Sequence, residues 1–137
     1  GWRAYDDHDG REYWAAEMRE AGIRTAVFVD PDPASVELAA ACTIEAVEIY
    51  TGDYAAAHER GDYAEALDAI EQAAETARAL GLRLNGGHDL TIRNLGPLCS
   101  RVEFDEFSIG HHIATDALFR GLSDAVTDFK SAVPERV

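Results

Sequence analysis

Short apolar runs alternate with helix-patterned segments along the whole chain, and that alternation leaves few folds open. A first helix is predicted over residues 10–21, with Trp14 and Met18 one turn apart on one face and Gly22 as its stop. Residues 25–29 follow as a short apolar strand, broken by Asp30-Pro31-Asp32-Pro33. Asp32 and Pro33 make an N-cap and first-turn pair for a helix through about Ala41. Residues 46–50 read as the second strand, and a loop carrying Thr51, Gly52 and Asp53 comes after it. A longer helix is predicted over 62–80, with Asp62 as its cap, Glu65 as capping-box partner and Gly81 as its end. Its apolar stripe is Tyr63, Leu67, Ile70, Ala74, Ala77 and Leu80. Residues 82–85 are the third strand, closed by Gly86-Gly87-His88-Asp89, and a short helix covers 90–98. Residues 106–109 are the fourth strand, with Gly110, His111 and His112 at its end. The last helix is predicted over 113–132, with Phe119, Leu122, Val126, Phe129 and Val133 on its apolar face.

The order is one helix followed by four strand–helix units. Strands that alternate with helices imply an α/β protein with parallel strands and right-handed crossovers. Two architectures satisfy this pattern. One is a small open sheet covered on both faces. The other is half of a (β/α)₈ TIM barrel, a fold of about 250 residues. The 137 residues are close to half of that, so residues 1–137 read as a single partial domain. A half-barrel leaves two unpaired edges, near Val27 and Phe107, and an uncovered inner face. Soluble monomers seldom carry an apolar face of that kind, so self-association is expected.

Charge narrows the partners. With 26 acidic and 12 basic side chains the net charge is −14, which argues against a nucleic-acid partner, gripped through clustered cations, and disfavours an anionic membrane surface. No apolar run approaches the roughly 18 residues of a membrane helix. The opening Gly1-Trp2-Arg3-Ala4-Tyr5 is not a signal peptide and lacks an initiator Met, as expected of a processed or truncated product in the cytoplasm. Cys42 and Cys99 are read as two buried, reduced thiols. His8, His58, His88, His111 and His112 show no metal-ligand spacing, so no metal and no cofactor are predicted; His8 and His58 are read as solvated.

Ligands of parallel α/β proteins bind at the carboxyl ends of the strands, and polar residues there carry the chemistry. Glu48 lies inside the second strand between Val47 and Ile49, where an ionised carboxylate is costly unless paired. It is either a functional carboxylate or a structural one bonded to a neighbouring strand. Gly86 and Gly87 allow a tight turn whose N–H groups, with the following helix N-terminus, could hold an anion. His88 then stands beside it as a general acid, unless it is an incidental surface histidine. Gly110 and His111 repeat the strand–glycine–helix arrangement, and His112 reads as a cap or surface residue. Asp30 is explained by turn chemistry.

Several pieces occur together and in order: Phe28-Val29-Asp30, Val47-Glu48-Ile49-Tyr50-Thr51-Gly52, Asn85-Gly86-Gly87-His88 with Asn94, and Ile109-Gly110-His111. As a set, over residues 10–132, they resemble the C-terminal half of the pyridoxine 5′-phosphate synthase family. The resemblance implies a (β/α)₈ barrel, a homo-oligomer, and a transferase of vitamin B6 biosynthesis. Such an enzyme condenses 1-deoxy-D-xylulose 5-phosphate with 3-amino-2-oxopropyl phosphate. It implies that His88 is the proton donor and Glu48 the carboxylate that stabilises the transition state. It places Asp89, Gly110 and His111 at substrate-binding positions. The family usually has glycine where this chain has Asp89, whose charge would oppose a phosphate unless it points away. The family's N-terminal half, with its base and its arginine clamp, has no match here, and Arg93 and Arg101 lie on helix-side segments. The isolated chain is therefore expected to be inactive and to need an N-terminal half. The alternatives are a self-associating, non-catalytic phosphate-binding half-barrel, and an unrelated open α/β domain in which Glu48 and His88 are structural.

Overall fold

A computed structural model describes residues 8–134; the opening residues 1–7, and the side chain of His8, lie outside the described part. The elements run α1 (His8–Glu20), β1 (Ala26–Val29), α2 (Pro33–Ala41), β2 (Ala46–Tyr50), α3 (Gly52–Arg60), α4 (Ala64–Ala79), β3 (Arg83–Gly87), α5 (Ile92–Arg101), β4 (Glu106–Ser108), α6 (His111–Arg120) and α7 (Leu122–Ala132). The four strands form one parallel sheet in the order β1-β2-β3-β4. Sequential order decides between the two architectures. Right-handed crossovers that all step the same way put every helix on one face, whereas a doubly covered sheet must reverse its strand order. The fold is a half-barrel of four successive βα units, with β1 and β4 at its edges.

The core lies between that sheet and the helices. Val27, Val29, Val47, Ile49 and Leu84 are buried there against Val36, Leu38, Leu67, Ile70, Leu95 and Leu98. Each fully buried side chain of this size contributes about 1.5–3 kcal/mol. Gly86 belongs to the same layer, because a methyl there would lie 2.8 Å from the Phe104 ring. Asp32 caps α2, accepting from the Ser35 N–H at 2.9 Å, with Pro33 in the first turn as predicted. The α4 stripe buries Leu67, Ile70, Ala74 and Ala77, and Gly81 follows in the left-handed region at φ +75°.

Several expectations are corrected. Residues 52–60 are a helix rather than a loop. α4 is preceded by Tyr63 with no side-chain cap, so Asp62 and Glu65 form no capping box, and Leu80 is 46% exposed. On α1 the buried residue is Ala15, while Trp14 is 43% exposed. The last helix is two helices, broken at Gly121 with φ +89° and ψ +151°, a conformation open essentially to glycine. That break turns Phe119 and Leu122 outward, at 88% and 63% exposure, and leaves Ala125 and Phe129 as the buried contacts. Cys42 is buried but Cys99 only half-buried; both are free thiols, and burial pushes both upward in pKa. None of the described helices is long and apolar enough to cross a membrane.

Candidate active site

The strand register sets the site. Phe28, Glu48, Asn85 and Glu106 are aligned across the sheet, one residue out of step with the helix-facing valines. Glu48 is half-buried on that opposite face. Its carboxylate accepts a hydrogen bond from the Ser108 hydroxyl at 2.7 Å, across the intervening strand β3. Gly87 makes this span possible, because a methyl there would sit 2.3 Å from Glu48 Oε1 and 3.1 Å from the Ser108 carbonyl. Deeper on the same face, Asn85 Oδ1 is buried and has no hydrogen-bond partner among the described residues.

The turn after β3 is held from two sides. Thr51, fully buried at the end of β2, shares its one hydroxyl proton between the carbonyls of Gly87 and His88, both at 2.7 Å, and donates its N–H to Gly87 at 2.9 Å. Asn94 donates its side-chain amide to the Asp89 carbonyl at 3.2 Å and shares a capping box with Thr91 at the start of α5. The Tyr54 hydroxyl of α3 donates to the Asn94 carbonyl at 2.7 Å, and burial pushes this phenol up to about 12. Clamped between them, His88 and Asp89 adopt φ of +93° and +55°. Left-handed backbone in two successive non-glycine residues costs on the order of 1–3 kcal/mol each and persists only where the surroundings over-determine it. The His88 ring meets Tyr50 edge-on at 4.9 Å, and its Nδ1 lies 2.9 Å from Asp89 Oδ2. Burial raises the Tyr50 phenol, with Asp53, Asp89 and Asp30 adding to the effect.

The turn after β4 is built differently. Gly110 precedes α6, whose first turn has no side-chain cap and no acidic residue. Its N–H groups are the kind of donor that receives an anion. Between the two turns lies a cavity of about 290 Å³, lined among others by Phe28, Glu48, His88, Asp89, Ser108, Gly110 and His111. All five residues singled out from the sequence thus line one cavity. Thr51, Ser108 and Asn94 support it without having been singled out as site residues.

A family model described as "Pyridoxal phosphate biosynthesis protein PdxJ" matches residues 1–135. The chain belongs to the PdxJ family. It is similar to proteins named pyridoxine 5′-phosphate synthase from Brucella anthropi (41% identical, 97% of this chain, 55% of the relative) and Bacteroides fragilis (40%, 97% and 56%). The one from Bacteroides thetaiotaomicron is 42% identical over 85% of this chain and 49% of its own length. The chain therefore spans about half the length of these curated relatives. Among solved structures, the HMG-CoA lyase from Brucella melitensis superposes with a TM-score of 0.61 at 23% identity, over 91% of this chain and 48% of that one. At that identity the likeness speaks for the fold alone.

Two expectations about this PdxJ-family site change. Gly86 and Gly87 lie within β3, and the tight turn is made by His88 and Asp89, while the capping box at the start of α5 claims the N–H groups of Thr91 and Asn94. His58 is half-buried rather than solvated, its ring 4.9 Å from that of Tyr63. Arg101 is committed to Asp68, at 2.9 Å, and to Glu71 on α4, well away from the cavity. A larger hollow of about 700 Å³ between α3, α5, α6 and α7 contains none of Glu48, His88 and Asp89.

Proposed function

We propose that this chain is the C-terminal half of a pyridoxine 5′-phosphate synthase barrel, which condenses 1-deoxy-D-xylulose 5-phosphate with 3-amino-2-oxopropyl phosphate in the cytoplasm. The observation that carries the reading is the single strand-end cavity shared by Glu48, His88, Asp89, Gly110 and His111. In it His88 is the proton donor. Glu48 is the carboxylate that stabilises positive charge as it develops, held in place by Ser108. The open first turn of α6, at Gly110 and His111, receives a substrate phosphate. The Asp89 carboxylate is turned to His88, which leaves its main-chain N–H to meet substrate.

The other half of the chemistry comes from a further four βα units, in the same longer protein or in a partner chain. Three features favour that reading: the coverage of about half of each relative, the sheet edges at β1 and β4, and the orphaned Asn85 oxygen facing the barrel interior. By itself the chain is inactive and self-associates, and the complete enzyme is a homo-oligomer. Calorimetric titration with 1-deoxy-D-xylulose 5-phosphate, beside His88→Ala, tests the site. Saturable binding that His88→Ala abolishes is the expected outcome, in the chain alone or after an N-terminal half is added. Binding indifferent to His88→Ala in both settings would overturn it, and turnover by the chain alone would overturn the half-barrel assignment.

A further inference from the structure

We propose that Asp89 is a positioning residue for His88: it holds the imidazole through Nδ1 and thereby makes Nε2 the ring nitrogen that exchanges a proton. The inference rests on the reading of His88 as proton donor and adds a second residue to that role. An ionised carboxylate is an acceptor only, so the 2.9 Å contact between Asp89 Oδ2 and Nδ1 requires the proton on Nδ1, in the neutral ring as in the charged one. Nε2 is then a lone pair in the neutral ring and a donor in the charged ring. Among the described residues Nε2 has no hydrogen-bond partner, and His88 lines the cavity. Glu48 and His111 share that cavity and Tyr50 stands at the ring's edge, yet among the described residues only Asp89 bonds the imidazole.

The backbone argues against an incidental surface contact. A pair of neighbouring side chains about half exposed, at 51% and 52%, is ordinarily worth little. Here it is formed by two left-handed residues, at a position of φ +55° where glycine would sit without strain. Thr51 and Asn94 grip the carbonyls of these same two residues, at 2.7 and 3.2 Å. An extended conformation at either residue would send the two side chains to opposite sides of the chain. The strained turn is what brings carboxylate and ring together, and the clamps are what keep it.

Two-bond proton–nitrogen correlation spectra of the ¹⁵N-labelled 137-residue chain read the tautomer directly, with His88→Gln for assignment. In its neutral ring, His88 is expected as the Nδ1–H tautomer. Asp89→Gly, which removes the acceptor and relieves the backbone, is expected to lose that preference; Asp89→Asn, whose amide oxygen still accepts, is expected to retain it. An Nε2–H tautomer in the unmodified chain, or an unchanged His88 pattern in Asp89→Gly, overturns the proposal. The spectra need no substrate. A tautomer that follows Asp89 while ligand binding ignores His88→Ala supports the positioning and overturns the proton-donor reading instead.

Discussion

The turns that follow β3 and β4 sit side by side at one end of the sheet and are built on opposite principles. The first is closed. Its carbonyls are taken by Thr51 and Asn94, its helix carries a complete capping box, and its backbone is forced into the left-handed region. The second is open, with a helix start that has neither a side-chain cap nor an acidic residue, at an unstrained Gly110 with φ −111°. On the function proposed above, the difference separates two requirements of one cavity. Proton transfer needs a side chain at a fixed angle, which rigid scaffolding supplies. Phosphate binding needs backbone donors that nothing else has claimed.

If the closed turn is held chiefly by Thr51, removing its hydroxyl opens it. Thr51→Val keeps the shape but leaves the His88 carbonyl without its partner in a site that is fully buried at residue 51. The expected loss is about 2–3 kcal/mol of stability in chemical denaturation, since an unsatisfied buried group costs its desolvation as well as its bond. The same variant is expected to loosen the His88 turn, visible as faster amide exchange at residue 51, whose N–H donates to the Gly87 carbonyl at 2.9 Å. A smaller effect is expected at Gly87. Alanine there collides with Glu48 Oε1, the movable end of a side chain, and crowds the Ser108 carbonyl at 3.1 Å. About 1–2 kcal/mol is expected from such overpacking. Adding Glu48→Ala to Gly87→Ala is expected to recover part of the loss; strict additivity in that cycle would show that the carboxylate is not what Gly87 makes room for.

Much of this was readable in the sequence, and the failures share a cause. Strands and long helices announce themselves through many residues at once, so β1 to β4 and the stripe of α4 were found within a residue or two. α3 is silent in the sequence because its only large buried apolar side chain is Tyr54; the rest of its buried face is glycine and alanine, which leaves no periodic signal. The break at Gly121 is silent too, because one glycine inside a helical pattern is usually tolerated. At the site, Glu48 and His88 stood out because their residue types are unusual where they sit. Thr51 and Ser108 did not, because a hydroxyl that clamps a carbonyl or a carboxylate from another strand looks like any polar residue at a strand end. Its role exists only in the register.

Tyr54, on the helix the sequence concealed, buttresses the closed turn from behind. Tyr54→Phe keeps the ring and removes the bond to the buried Asn94 carbonyl, for an expected loss of about 1 kcal/mol. The pH dependence distinguishes this hydroxyl from others. Its phenol, normally ionising at 10.0, is pushed up to about 12 by burial, with the Tyr63 and Cys99 groups adding to the rise. A folded value above the unfolded one means stability that is complete below pH 10 and is lost as pH rises from 10.0 to about 12. Tyr54→Phe is expected to flatten the stability curve in that window and nowhere else.

The smallest expected effect lies in the open turn, and its smallness is the point. A methyl at Gly110 meets nothing within 4 Å, and φ of −111° suits any residue. Gly110→Ala is therefore expected to change stability by no more than about 0.5 kcal/mol, the range of surface substitutions that touch no special feature. Gly110 nevertheless lines the cavity at the start of α6, where a phosphate would approach the uncapped first turn. Weaker binding of 1-deoxy-D-xylulose 5-phosphate with an unmoved melting temperature would mark the second turn as shaped for a ligand rather than for the fold. A large loss of stability at Gly110 would instead mean that the open turn carries structure of its own, and the division between a scaffolded acid and an unclaimed anion site would fail.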